Sequence, residues 1–130
     1  MKAYLGIKYH SDHRNKEQID TLSSLIEECG YSVTCITRDI EAWGKVMFTP
    51  NELMKKTFQI IDESNVVIID LSEKGVGLGI EAGYAYSKGI TVIAIAHKTK
   101  ISTTLLGISK YNYVYKDKED LSNFLKSILK

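Results

Sequence analysis

The sequence lacks most of what would force it into a special class. It has one proline, Pro50, and two cysteines, Cys29 and Cys35, in 130 residues. Two cysteines cannot form a disulfide framework, and this spacing makes neither a CxxC pair nor a metal cluster. The expectation is two buried thiols in a reducing compartment. No apolar run approaches the roughly 20 residues of a membrane span, so no membrane partner is expected. The opening MKAYLGIKYHSDHRNK lacks the long apolar segment of a signal peptide, and a cytoplasmic location is the expectation. Charge of one sign is also missing. The chain carries 17 basic and 16 acidic residues, a net charge of +1. That balance offers no electrostatic case for a nucleic acid polymer.

What remains is ordinary globular material, with 44% hydrophobic and 25% charged residues. The length suits one domain over residues 1–130. Short apolar runs at 3–8 (AYLGIK) and 32–37 (SVTCIT) read as strands. Between them, Ile19, Leu22, Leu25, Ile26 and Cys29 recur at helical spacing and Gly30 ends the helix. Thr49-Pro50-Asn51-Glu52 is a capping box with proline in the first turn, so a helix runs to about Glu63. NVVIID (65–70) and ITVIAIA (90–96) are almost wholly apolar, the pattern of central parallel strands covered on both faces. A glycine-rich turn and a helix ending near Lys88-Gly89 connect them. YNYVY (111–115) is a shorter strand. A final helix from about Asp117 carries Leu121, Phe124, Leu125, Ile128 and Leu129 on one face. Alternating strands and helices predict a doubly wound, five-stranded parallel α/β sheet, flavodoxin- or Rossmann-like. Ligands of such sheets lie beyond the carboxyl ends of the strands.

The segment richest in possible chemistry is 70–83. Gly75, Gly77 and Gly79 alternate between a buried strand and a helix, which lets backbone approach a ligand closely. The spacing GxGxG is neither the dinucleotide fingerprint nor a phosphate P-loop. Taken alone, a tight turn with close helix packing explains it equally well. Glu81 sits in or near the first turn of the following helix, where the macrodipole favours an ionised carboxylate. Such a carboxylate at a pocket floor can attack an anomeric carbon. A glutamate that merely stabilises a helix start is the plainer reading.

The run Val76-Gly77-Leu78-Gly79-Ile80-Glu81-Ala82-Gly83-Tyr84-Ala85-Tyr86-Ser87-Lys88-Gly89 resembles the active-site segment of the nucleoside 2-deoxyribosyltransferases. It also resembles that of their relatives, the 2'-deoxynucleoside 5'-monophosphate N-glycosidases. The resemblance implies that Glu81 is the nucleophile that takes the sugar. Tyr4-Leu5-Gly6 is similar to the family's first strand, which implies that Tyr4 hydrogen-bonds Glu81 and Gly6 lies at the substrate. Tyr9 matches a position that stacks on the base. Two positions depart from the family. Thr57 stands where an aspartate is usual, and Gly75 stands where transferases carry another. Ser72 is an approximate stand-in for the hydrolases' phosphate-binding serine. Asp70 or Asp62 is an alternative proton donor, with Asp62 more simply read as helix surface.

Other residues carry weaker readings. His10, His13 and Arg14, with Lys8, form a basic loop that could hold a phosphate or polarise a base. No third ligand accompanies the two histidines, so no metal is expected. Trp43, Met47 and Phe48 read as pocket wall, core or subunit contact, and Asp39, Glu41 and Lys45 as surface.

The preferred function is cleavage or transfer at the N-glycosidic bond of a nucleoside or nucleotide, without a cofactor. Glu81 and Tyr4 are the catalytic candidates. Gly6, Tyr9, His10, Asp70, Ser72, Gly75, Gly77 and Gly79 are the substrate-binding candidates. The resemblance implies a homo-oligomer. The rival is a non-catalytic domain that sequesters or senses a nucleotide. Hydrolysis of an NAD-like dinucleotide is a third reading, without a dedicated motif.

Overall fold

A computed structural model describes residues 1–129. The apolar runs become three buried strands, β1 (Lys2–Ile7), β3 (Val66–Asp70) and β4 (Thr91–His97). They are flanked by β2 (Ser32–Thr34) and β5 (Tyr111–Tyr115) in the order β2-β1-β3-β4-β5, all parallel. The two most apolar strands, β3 and β4, are neighbours in the sheet interior, with Val67 opposite Val92 and Ile69 opposite Ala94. This is the expected architecture.

Strand alternation sorts the core into two layers. On one face Leu5, Ile68 and Ile93 meet Leu22 and Ile26 of α1 (Lys16–Glu27) and Leu121 and Leu125 of α5 (Lys118–Ile128). On the other, Tyr4, Val67, Ile69 and Val92 meet three helices. These are α2 (Pro50–Asp62), α3 (Val76–Ser87) and α4 (Thr103–Ile108). The Thr49–Glu52 capping box opens α2 as its sequence demands.

Two segments differ from the sequence reading. The strand expected over 32–37 stops at Thr34. The Asp39 carboxylate accepts the Cys35 N–H at 2.9 Å, and the chain winds into a π turn over Ile36–Ile40. The connection before β5 contains α4, whose single stretch is too short to show helical periodicity. Its start is capped by Ser102, which accepts the Leu105 N–H at 3.4 Å.

Candidate functional site

The site starts from close packing between β1 and α3. Gly6 is buried, and a Cβ there would lie 2.7 Å from Ile69 Cδ1 and 3.4 Å from Leu78 Cδ2. The missing side chain leaves room for Ile69 Cδ1, and Leu78 of α3 packs over the strand beside it. α3 thereby brings Glu81 above Tyr4, whose ring is 1% exposed. The Tyr4 hydroxyl donates a hydrogen bond to the Glu81 carboxylate.

Glu81 lies in the second turn of α3, not the first. This corrects the expectation that the macrodipole keeps it ionised, because that influence is spent within the first turn. Burial instead pushes its pKa up to about 7, and the hydrogen bond from Tyr4 opposes the rise. Burial, and then the neighbouring carboxylate, push the Tyr4 hydroxyl far above the ordinary phenol range. Tyr4 is therefore a permanent proton donor to a carboxyl that changes charge near neutrality.

Glu81 faces a cavity of about 260 Å³ on the α2–α3 side of the sheet, at the carboxyl end of β1. Ile7 and Lys8 form one wall; Leu53, Met54 and Thr57 of α2 form another. Gly75, Gly77 and Leu78 close it at the start of α3. No side chain caps that helix start, so its first N–H groups are free to meet an acceptor on a ligand. A Cβ on Gly77 would come within 3.9 Å of Glu81 Oε2, so the glycine keeps the carboxylate uncovered.

Not all expected residues gather here. Asp70 lies on the opposite face of the sheet, accepting from the Tyr115 hydroxyl at 2.7 Å and the Ser72 N–H at 2.8 Å. Asp62 is exposed and accepts from the Tyr84 hydroxyl at 2.8 Å. Ser72 and His10 line a second cavity of about 390 Å³ with Lys8, Arg14 and His97. There His10 pairs with Glu73, joining the loops after β1 and β3. Ile7 and Lys8 border both cavities. Tyr9 packs its ring 5.5 Å from that of Trp43 and bonds His13, outside the Glu81 cavity. Gly79 faces open surface. A larger hollow of about 480 Å³ lies between α1 and α5, but Arg14, Glu17, Asp117 and Lys118 on its lining are all exposed. Among the described residues, no group of three or more His, Cys, Asp or Glu is placed to hold a metal. No helix among them is long and apolar enough to cross a membrane.

One residue read as surface belongs to the site. Glu41 lines the Glu81 cavity, half-buried, in the connection between β2 and α2. Burial raises its pKa. The irregular segment 38–48 has no period from which a side-chain direction could be read, so the sequence gives no pointer to this placement.

No family model matches the chain. A protein of Thermofilum pendens, provisionally named 2'-deoxynucleoside 5'-phosphate N-hydrolase 1, is 28% identical over 137 aligned positions. These cover 99% of this chain and 95% of that protein. Among solved structures, a 2-deoxyribosyltransferase of Bacillus psychrosaccharolyticus superposes with a TM-score of 0.72 at 13% identity. That match covers 95% of this chain and 91% of that one. The fold is deoxyribosyltransferase-like. A CMP N-glycosidase of Clostridium botulinum shares this deoxyribosyltransferase-like fold, with a TM-score of 0.70 and 20% identity over 98% of this chain and 99% of that one. The resemblance carried by residues 76–89 thus extends to similarity along nearly the whole chain.

Proposed function

We propose that this protein cleaves or transfers at the N-glycosidic bond of a nucleoside or nucleotide, with Glu81 as nucleophile. The observation that carries the reading is the Tyr4–Glu81 hydrogen bond at the side of a cavity lined by Ile7, Ile36, Leu53, Met54 and Leu78 with the polar groups of Lys8, Glu41 and Thr57. The names of the Thermofilum, Clostridium and Bacillus proteins support the same bond as the target. They lend nothing to a non-catalytic sensing role.

In this mechanism a Glu81 oxygen attacks C1' of the sugar. The bond from C1' to the base nitrogen breaks, and its electron pair leaves with the base. The glycosyl ester on Glu81 is then opened by water or by a second base, and the carboxylate is regenerated. Tyr4 holds one carboxylate oxygen, leaving the other for attack. The uncapped start of α3, with Gly75 and Gly77, receives the sugar or its 5' substituent.

The test is release of free base by wild type and Glu81→Gln from deoxynucleosides, ribonucleosides and their 5'-monophosphates. Wild type should release base from at least one class. Glu81→Gln should retain the fold and lose several orders of magnitude in rate. Undiminished release by the variant removes Glu81 from the chemistry. Binding without release by wild type points instead to the sequestering domain.

A further inference from the structure

Departure of a base requires a proton as well as a nucleophile. Glu81 cannot supply both, because it attacks only when ionised. Tyr4 cannot supply the proton either, since its hydroxyl is bound to Glu81 and its acidity is suppressed. Thr57 lines the cavity, but its hydroxyl donates to the Leu53 carbonyl at 2.8 Å within its own helix. Gly75 has no side chain, and Asp70 is turned to the far face of the sheet. Among the described residues lining the cavity, one carboxyl besides Glu81 remains, that of Glu41.

The local structure holds Glu41 in place by its backbone and leaves its side chain free. Its N–H donates to the Ile36 carbonyl at 2.9 Å, and its carbonyl accepts from Gly44 and Val46, each at 3.0 Å. The next three residues all take left-handed backbone, with φ of 46° at Ala42, 60° at Trp43 and 91° at Gly44. Left-handed alanine and tryptophan are unfavourable and persist only where the surroundings hold them. Here the Trp43 ring is held by Tyr9 and by Lys16, whose Nζ lies 4.8 Å from the ring centre. The Glu41 carboxyl itself makes no hydrogen bond or ion pair with the described residues. The nearby Arg38 is committed to Asp39 at 2.8 Å and to Glu27 at 3.8 Å. Lys8 is the cation on the same cavity wall. When ionised, Glu41 is close enough to raise the Tyr4 pKa further.

We propose that Glu41, which lines the same cavity as Glu81, is the general acid that protonates the departing base. The assignment rests on the N-glycosidic reading above and adds a second catalytic residue to it. As Glu81 bonds to C1', the C1'–N bond breaks and the Glu41 proton passes to the base, which leaves neutral. Glu41, now a carboxylate, takes a proton from the incoming water or second base as that nucleophile bonds to C1'. The C1'–Glu81 ester bond breaks in the same step, its electron pair returning to the Glu81 carboxylate, and both groups regain their starting state. Half-burial without a hydrogen-bonded or ion-paired neighbour among the described residues raises the Glu41 pKa, which favours the protonated form that can donate.

Leaving-group dependence tests it. One pair of probes is 2'-deoxyguanosine 5'-monophosphate and its 7-methyl derivative, whose base is cationic and leaves without a proton. The corresponding pyrimidine pair is 2'-deoxyuridine 5'-monophosphate and its 5-fluoro derivative, whose base leaves more readily as an anion. Glu41→Gln should lower base release from the unactivated member of the cleaved pair by about 10²–10⁴-fold. On the activated member the loss should be markedly smaller. Equal losses on both members, or none, overturn the assignment. Glu41→Asp, which keeps the proton, should retain part of the rate, and thermal unfolding checks that both variants fold. The two readings fail separately. A wild type inert on the whole nucleoside and nucleotide panel sinks the parent reading and this one with it. An active wild type that needs Glu81 but tolerates Glu41→Gln sinks this one alone.

Discussion

The Tyr4 hydroxyl on β1 donates to the Glu81 carboxylate on α3, 77 residues along the chain, and so ties the sheet to the helix at the cavity. Burial holds the Glu81 pKa at about 7, against an ordinary 4.5. A carboxyl whose pKa is raised by folding favours the folded state while protonated. That contribution is full below about pH 4.5 and is lost as pH rises through 7. The gap corresponds to about 3 kcal/mol at most, less where water reaches the half-buried group. Glu81→Gln keeps an oxygen for Tyr4 and cannot ionise. It should therefore be about 1–3 kcal/mol more stable than wild type at pH 8, with no advantage at pH 4.5. Urea unfolding at the two pH values checks this, and a variant less stable at pH 8 contradicts it.

Two glycines should respond oppositely to alanine. At Gly6 the new Cβ meets Ile69 Cδ1 at 2.7 Å, and Ile69, fully buried, must shift its side chain to admit it. Overpacking of this kind costs about 1–3 kcal/mol, and here Ile69 must shift beside Leu78 and the Tyr4 ring, which the new Cβ would touch at 3.4 and 3.5 Å. At Gly79 a Cβ meets nothing within 4 Å and the helix gains propensity. Gly79→Ala should stabilise the protein by about 0.5–1 kcal/mol. If Gly79 backbone does not touch substrate, activity should be unchanged. Thermal unfolding and base release on the two variants test both statements, including the expectation that Gly79 binds substrate.

Much of the fold was legible because its signals are local and redundant. The apolar runs of β3 and β4, the Thr49–Glu52 cap and the face of α5 each announce one element. The shortening of β2 was not, because a single side chain, Asp39, ends the strand by bonding Cys35. The site was half legible. Glu81 and Tyr4 could be paired from a resemblance, yet the acidity of Glu81 depends on burial that no motif encodes. The side on which Asp70 lies was readable in principle. Tyr4 pairs in register with Val67, so alternation sends Asp70 to the other face. Glu41 was beyond reach, since its direction is fixed by three left-handed residues in an aperiodic segment.

Assembly should involve the segment that follows Glu41. Met47 is 85% exposed and Val46 43% exposed, while Trp43 is turned inward onto Tyr9. Val76 and Ile80 expose apolar surface on α3. Aromatic residues and methionine are enriched in interfaces. At least a dimer is expected at micromolar concentration, and Met47→Asp should weaken it while Trp43→Ala should instead destabilise the fold. Light scattering on the wild type and both variants decides. A wild-type monomer contradicts the expectation.

The hydrogen bond from Tyr4 also sets where activity begins along the pH scale. It stabilises the ionised form of Glu81 and so works against the burial that raises its pKa. In the proposed mechanism only the ionised form attacks C1', so base release should climb through an acidic limb near pH 7. Tyr4→Phe keeps the ring that packs beside Gly6 and removes only the hydroxyl. A hydrogen bond to a charged group contributes about 1.5–3 kcal/mol, so its loss should move the acidic limb upward by about 1–2 pH units. Above the displaced limb, the remaining loss in rate should be about 10–10²-fold, reflecting a carboxylate no longer held in line. Rates from pH 5 to 9.5, beside a carbon NMR titration of labelled Glu81, separate the two effects. The titration follows the carboxyl directly and does not depend on turnover. A Tyr4→Phe variant whose Glu81 titrates near 7, as in wild type, would leave Tyr4 with packing as its only role.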